Sequence, residues 1–74
     1  MKVRYYMNQI LTPREHEIFD QLILGKNSQE IAEHFFISDK TVRNHISNVM
    51  QKLEVKTRYQ AVIELIKMGE LKIK

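Results

Sequence analysis

Apolar residues recur at helical spacing in four separate stretches of the chain. Intervals of three and four residues place side chains on one face of an α-helix, so that the polar residues between them lie on the other face. Each stretch is preceded by Thr, Asn or Ser, residue types that cap the N-terminus of a helix. The pattern predicts an all-α fold, a compact four-helix domain.

The first two predicted helices begin at capping boxes. Thr12 is followed three residues later by Glu15, whose carboxylate is placed to reach back to the cap backbone. Asn27 and Glu30 repeat this arrangement. Gly25 is placed to end the first helix in a left-handed turn. The residues expected to face the core are Ile18, Phe19, Leu22 and Ile23 of the first helix and Ile31, Ala32 and Phe35 of the second.

The second and third helices are separated by a very short connection. Ser38 begins the third helix as an N-cap soon after Phe35, with no proline and no long linker between them. Two helices joined by so tight a turn form a helix-turn-helix. We expect the third helix to cover about residues 38–53. Its apolar stripe consists of Val42, Ile46, Val49, Met50 and Leu53.

The polar face of the third helix has no carboxylate between Lys40 and Lys52. An ordinary solvated helix mixes acidic and basic residues at i,i+4 spacing, whereas this face carries amides, hydroxyls and cations. Those groups match the donors and acceptors on base edges in the DNA major groove. The residues predicted to contact bases are Arg43, Asn44 and Ser47. The residues predicted to contact phosphates are Lys40, Thr41, His45, Asn48, Lys52, Lys56 and Arg58.

The distribution of charge supports a polyanionic partner. The segment from Ser38 to Arg58 carries five basic and two acidic residues, which accounts for the whole formal charge of +3. The rest of the chain is balanced. Double-stranded DNA is therefore the expected partner of this segment.

The fourth predicted helix has apolar residues on two sides. It begins at a third capping box, Thr57 with Gln60, and ends at Gly69. Ala61, Leu65 and Met68 point one way, and one small core cannot also cover the opposite side. We expect that opposite side to form a two-fold homodimer. Its residues are Tyr59, Val62, Ile63 and Ile66. The alternative is that it packs on the segment Val3–Met7 of the same chain.

Other classes of function find little support in the composition. The chain has no cysteine, so it can form neither a disulfide nor a thiolate metal site. No apolar run approaches the roughly 18–20 residues of a membrane span. No nucleophile, base and orienting residue are grouped as catalysis requires. We expect a protein that is not an enzyme, binds no cofactor, metal or membrane, and works in the cytoplasm on the nucleoid.

Several short motifs follow one another in a fixed order along residues 10–69. They are Leu11-Thr12-Pro13-Arg14-Glu15, Glu30-Ile31-Ala32, the run from Ile37 to His45, Lys52-Leu53 and Lys56-Thr57-Arg58. Together they resemble the LuxR/GerE-type DNA-binding domain of bacterial regulators of the NarL/FixJ group. The resemblance implies a domain over residues 10–74 after a short extension, residues 1–9. It also implies a recognition third helix, dimerisation through the fourth helix, and regulation of transcription at promoters, with RNA polymerase as a candidate partner.

Two finer points follow from the resemblance. Residues 41–48 and 68–71 are most similar to stand-alone family members of endospore-forming bacteria, which implies a role in sporulation. Most family members carry a signal-sensing domain before this module, whereas only about nine residues precede Ile10 here, so we expect an activity set by the protein's abundance. Glu54 stands where the family commonly has glycine. A left-handed residue other than glycine costs on the order of 1 kcal/mol, so we expect a relaxed or differently shaped turn there.

A function of another class remains open at this point. A helical protein-interaction module without sequence-specific DNA binding would show the same amphipathic helices. Such a module predicts weak, sequence-blind DNA affinity, whereas a DNA reader predicts preference for certain sites and a steep loss of affinity with salt.

Overall fold

The computed structural model describes residues 10–73 of the chain. Within that range it contains helices α1 (Pro13–Ile23), α2 (Ser28–Phe35), α3 (Asp39–Leu53) and α4 (Arg58–Lys67), and no strand. The predicted all-α fold with a helix-turn-helix is confirmed. The alternative packing of Val3–Met7 on α4 lies outside the described residues.

All four helices begin at the predicted caps. The side chains of Thr12, Asn27, Ser38 and Thr57 each accept a hydrogen bond from the backbone N–H three residues further on. The capping boxes of α1 and α2 are reciprocal, as predicted. The third box is only half formed, because the Gln60 side chain accepts from the N–H of Lys56 at 3.0 Å. Gln60 thus connects the α3–α4 loop to the first turn of α4 through a hydrogen bond.

The core is arranged around α3, which packs against each of the other three helices. Val42 and Val49 are fully buried on its predicted apolar stripe. The remaining fully buried large side chains are Ile18, Phe19, Ile31, Leu65 and Leu71. Leu11 and Leu71 enter the core from outside the helices, where periodicity gives no signal. The stripe therefore fixes which face of α3 is left to solvent.

Residues with left-handed backbone follow all four helices, and two of them are not glycine. Gly25 and Gly69 have φ values of 88° and 81°, in agreement with the turns predicted for them. Phe36 and Glu54 adopt φ values of 58° and 57° at the ends of α2 and α3. The expectation of a relaxed or altered turn at Glu54 is wrong. The turn keeps its left-handed form and is closed by the N–H of Val55 donating to the Met50 carbonyl at 3.1 Å.

The start of α1 is joined to the end of α3 by an ion pair between a buried carboxylate and an exposed lysine. Glu15 is 3% exposed, and its Oε1 accepts from the Thr12 N–H at 2.9 Å and from the Lys52 ammonium at 2.6 Å. Lys52 also donates to the carbonyl of Ile10 at 2.9 Å. The Glu70 carboxylate accepts from the N–H of Ile10 at 3.0 Å. Lys52 of α3 and Glu70 of the segment after α4 therefore meet at Ile10, and Lys52 also connects this point to Glu15 of α1.

The ion pair changes the acidity of Glu15. Burial raises the pKa of this carboxyl, but hydrogen bonds from Lys52 and Thr12 and the charge of Lys52 outweigh it, so that the pKa lies below its ordinary value. A carboxyl whose pKa is lowered by folding stabilises the fold fully above its unfolded pKa, about 4.3 for glutamate. This stabilisation is lost as the pH falls through the lowered folded value.

We expect Glu15→Gln to lower the free energy of unfolding at pH 7 by about 1–3 kcal/mol, because the ammonium of Lys52 loses its charged acceptor. Urea unfolding at pH 7 and pH 3 measures the effect. The difference from the parent chain narrows at pH 3, where the parent's own carboxyl becomes protonated. Glu17→Gln is the matched control, since Glu17 is exposed on the same helix and pairs with Arg14 at 3.5 Å. An equal difference at both pH values contradicts the assignment.

We expect Glu54→Gly to raise the free energy of unfolding by about 1 kcal/mol, because glycine adopts a positive φ without strain. Thermal unfolding measures the change. Glu54→Ala is the control, since it removes the charge but keeps a Cβ at the strained position. If both variants stabilise equally, the effect arises from charge and not from the backbone.

Candidate nucleic-acid interface

The side of α3 opposite the core is polar and exposed along its whole length. We define the recognition face as Lys40, Arg43, Asn44, Ser47, Asn48 and Gln51, all of which are exposed. Thr41 and His45 are half-buried on one flank of this face. The buried stripe of α3 orients the face outward, since Val42, Ile46 and Val49 hold the opposite side in the core.

The three residues predicted to contact bases lie together on this face. Arg43, Asn44 and Ser47 occupy adjacent turns of α3, where they present a guanidinium, an amide and a hydroxyl. Within residues 10–73, the side chains of Asn44 and Ser47 make no hydrogen bond to the protein. Their donors and acceptors are therefore available to base edges.

Arg43 forms an ion pair with a carboxylate for which the sequence pattern predicted no role. The Nε of Arg43 lies 2.9 Å from Oδ2 of Asp39, one turn earlier in α3. The carboxylate-free face described from the sequence begins at Lys40, one residue after Asp39. The signal was present in the i,i+4 spacing of an acidic residue ahead of a basic one, which favours an ion pair on a helix.

Two predicted phosphate contacts are already engaged within the chain. The Thr41 hydroxyl lies 2.8 Å from Oγ of Ser38, which also accepts from the Thr41 N–H as the helix cap. The Lys52 ammonium binds Glu15 and the Ile10 carbonyl. An ammonium has three N–H donors, so Lys52 has one left for a phosphate. Both phosphate contacts stay predictions, and each residue also has a structural role.

The other lysine and arginine side chains predicted to contact phosphates lie at the two ends of the recognition face. Lys40 is exposed in the first turn of α3, and Lys56 and Arg58 are exposed around the start of α4. Asn48 and His45 lie between these ends. The positive charges therefore flank the candidate base readers, an arrangement that suits two phosphate backbones on either side of a groove.

The apolar surface of α4 is divided as predicted, with one correction. Ala61 and Leu65 are fully buried, whereas Tyr59 is 76% exposed. Ile63 is also exposed, and Val62 and Ile66 are half-buried beside it. Met68 was expected on the buried side but is 46% exposed. Met68 keeps right-handed helical backbone as the C-cap of α4, but its side chain is not among those that pack against the core.

The histidines outside α3 have structural contacts. His16 lies 3.1 Å from the Asp20 carboxylate and 3.0 Å from the Glu70 carbonyl, and His34 packs edge-on against Phe35. Among residues 10–73, no group of His, Asp and Glu is arranged to hold a metal ion. In the same range, no helix has the length and apolar character needed to cross a membrane.

Comparison with known families and proteins agrees with this geometry. Residues 9–65 match the family model described as bacterial regulatory proteins, luxR family. The chain is 55% identical over 74 residues to the spore germination protein GerE of Bacillus subtilis strain 168, an alignment that covers 99% of this chain and 100% of that protein. A solved structure of the transcription factor GerE superposes with a TM-score of 0.87 at 48% identity, covering 90% of this chain and 100% of that one.

Longer relatives contain the same module. The transcriptional regulatory protein DegU of Brevibacillus brevis is 46% identical over 65 residues, which are 88% of this chain and 28% of that protein. The response regulator VraR of Staphylococcus aureus strain Mu3 is 48% identical over 63 residues, or 85% of this chain and 30% of that protein. These matches confirm the resemblance seen in the sequence motifs. This chain belongs to the LuxR family of bacterial regulatory proteins and is a DNA-binding regulator of transcription.

Proposed function

We propose that the protein binds specific sites in double-stranded DNA as a homodimer at bacterial promoters, with α3 of each subunit in the major groove. The observation that carries this proposal is the recognition face, an exposed helix surface without a carboxylate from Lys40 to Lys52. The major groove admits one α-helix, and it displays a donor and acceptor pattern that distinguishes all four base pairs.

In this proposal Arg43, Asn44 and Ser47 read the bases. Arginine pairs with guanine, asparagine pairs with adenine, and serine bonds to either type of edge. The flanking residues hold the phosphates and fix the register of the helix in the groove. They are Lys40, Thr41, His45, Asn48, Lys52, Lys56 and Arg58. The contacts of Lys52 with Glu15 and Ile10 support a fixed position for its remaining donor.

The homodimer forms through α4. Tyr59 and Ile63 are exposed, and Val62 and Ile66 pack only partly against the core. The four side chains therefore present an apolar surface that the core of one subunit covers only in part. A two-fold axis through this surface joins identical patches and places two α3 helices for neighbouring half-sites. In helix-turn-helix dimers such half-sites lie about one turn of DNA, or roughly 34–36 Å, apart.

The biological setting follows from the relative that matches along its whole length. That relative is named a spore germination protein, and we propose that this chain likewise regulates genes of the spore programme. It acts in the cytoplasm on the nucleoid, where bacterial promoters are found, and RNA polymerase is the proposed protein partner at those promoters.

We expect Asn44→Ala to relax base preference at one position of the site by about 1–3 kcal/mol, because one bidentate pair is lost. Lys40→Ala is the matched control on the same face. It weakens binding to all sequences nearly equally and reduces the slope of log affinity against log salt by about 1. Selection from a random DNA pool, followed by titration of the selected duplex and its variants, measures both effects.

The same selection tests the competing function. A protein-interaction module yields no enriched sequence and binds every duplex weakly. If Asn44→Ala weakens all sequences by the same factor, Asn44 is a phosphate contact and not a base reader.

We expect Ile63→Glu to convert the dimer into a folded monomer, because a charge enters the centre of the apolar surface of α4. Sedimentation velocity measures the change, and circular dichroism checks the helix content. Leu24→Glu is the control, since Leu24 is an exposed apolar residue at the end of α1. If Ile63→Glu sediments as a dimer at the same concentration, the proposed interface is wrong.

A further inference from the structure

Asp39 is the only carboxylate in the sequence from Ser38 to Leu53, and it lies at the start of the recognition helix. We propose that Asp39 is a positioning residue that sets base specificity by holding the guanidinium of Arg43 ready for a guanine. This inference rests on the proposed base-reading role of Arg43. In this inference Asp39 acts only through Arg43 and does not itself contact DNA.

The geometry of the pair supports this role. Oδ2 of Asp39 lies 2.9 Å from Nε of Arg43, within the range of a charge-assisted hydrogen bond. The Asp39 side chain is 32% exposed, whereas that of Arg43 is 61% exposed. The Asp39 carboxylate thus lies partly buried in the first turn of α3, and the more exposed guanidinium of Arg43 extends toward solvent.

The atom that Asp39 binds determines which atoms of Arg43 remain available. A guanidinium carries five N–H donors in one rigid plane, and only one of them belongs to Nε. With Nε occupied, the two terminal nitrogens still present a pair of parallel donors at the far end of the side chain. That pair matches O6 and N7 of guanine, the commonest specific contact in the major groove. The ion pair therefore favours the end-on approach and disfavours the approach that uses Nε.

A role for Asp39 as a helix cap does not account for its position. Ser38 already caps α3 by accepting from the Thr41 N–H at 3.0 Å. In the described part of the chain, Oδ1 of Asp39 is buried without a hydrogen-bond partner. A buried carboxylate oxygen without a donor is unfavourable for folding. Capping of α3 therefore does not explain this carboxylate, whose one observed side-chain partner in the described residues is Arg43, through Oδ2.

The pair affects specific and non-specific DNA differently. An arginine that is already fixed loses less side-chain freedom when it meets a guanine, which favours the correct site. The charge of Asp39 repels the phosphates of every sequence equally. Asp39 therefore lowers affinity for DNA in general and widens the gap between sites with and without guanine at the Arg43 position.

The experiment is a double-mutant cycle on base preference. Selection from a random pool with the parent chain and with Arg43→Ala identifies the base pair that Arg43 reads. The affinities of the parent chain, Asp39→Ala, Arg43→Ala and the double variant are then measured for the selected duplex. The same four proteins are titrated with a duplex in which only that base pair is replaced.

We expect the parent chain to prefer its base pair by about tenfold or more. Asp39→Ala reduces this preference to about threefold or less, while binding to unrelated DNA is unchanged or tighter. In the Arg43→Ala background, removing Asp39 leaves the preference as it is. Asp39→Asn keeps an acceptor for Nε without the charge and gives an intermediate preference. A change of the Arg43 Nε–H resonance in Asp39→Ala reports the loss of the pair directly.

Two results overturn the inference, and they are distinguishable. If Arg43→Ala loses the preference but Asp39→Ala retains it, Arg43 reads the base without help and the proposed function stands. If Arg43→Ala retains the preference, the base-reading role of Arg43 is wrong and the inference falls with it. Should Asp39→Ala fail to fold, Asp39→Asn carries the same test, and an undiminished preference in that folded variant overturns the inference.

Discussion

Glu15 binds the backbone of Thr12 and the ammonium of Lys52, and this one buried carboxylate joins the start of α1 to the last turn of α3. A carboxylate with almost no access to water is unfavourable unless it is hydrogen-bonded. Separating the start of α1 from the last turn of α3 would remove its donors and therefore costs free energy. The apolar stripe fixes the rotation of α3 about its own axis. The ion pair fixes the end of that helix relative to α1.

The packing of the apolar side of α3 against the core determines which of its polar groups are exposed to solvent. The residues of the recognition face alternate along α3 with buried neighbours, so the packing of those neighbours in the core fixes the side of the helix on which the polar groups lie. Asp39 adds a second kind of order, since it acts within the face on a single side chain. Packing of the apolar stripe therefore positions α3, and the ion pair with Asp39 positions the guanidinium of Arg43 on its surface.

The sequence predicted those features that depend on neighbours along the chain. Thr12, Asn27, Ser38 and Thr57 are local signals, because a cap acts within one turn, and all four begin helices as expected. The pairing of Glu15 with Lys52 was not predictable, since 37 residues separate partners that only the tertiary fold brings together. The position of Met68 was wrong because periodicity gives the direction of a side chain on a helix but not how far the core extends along that helix.

The anchoring of Ile10 has a consequence for how this module combines with other polypeptide. Its N–H is bound by Glu70 and its carbonyl by Lys52, so the entry to α1 is clamped from both sides by the domain itself. Because Lys52 belongs to α3, a displacement of the chain at Ile10 reaches the last turn of that helix directly. The start of the module is thus linked to α3, and similar modules occur both in a relative that this chain matches along its whole length and in relatives of which the module forms less than a third.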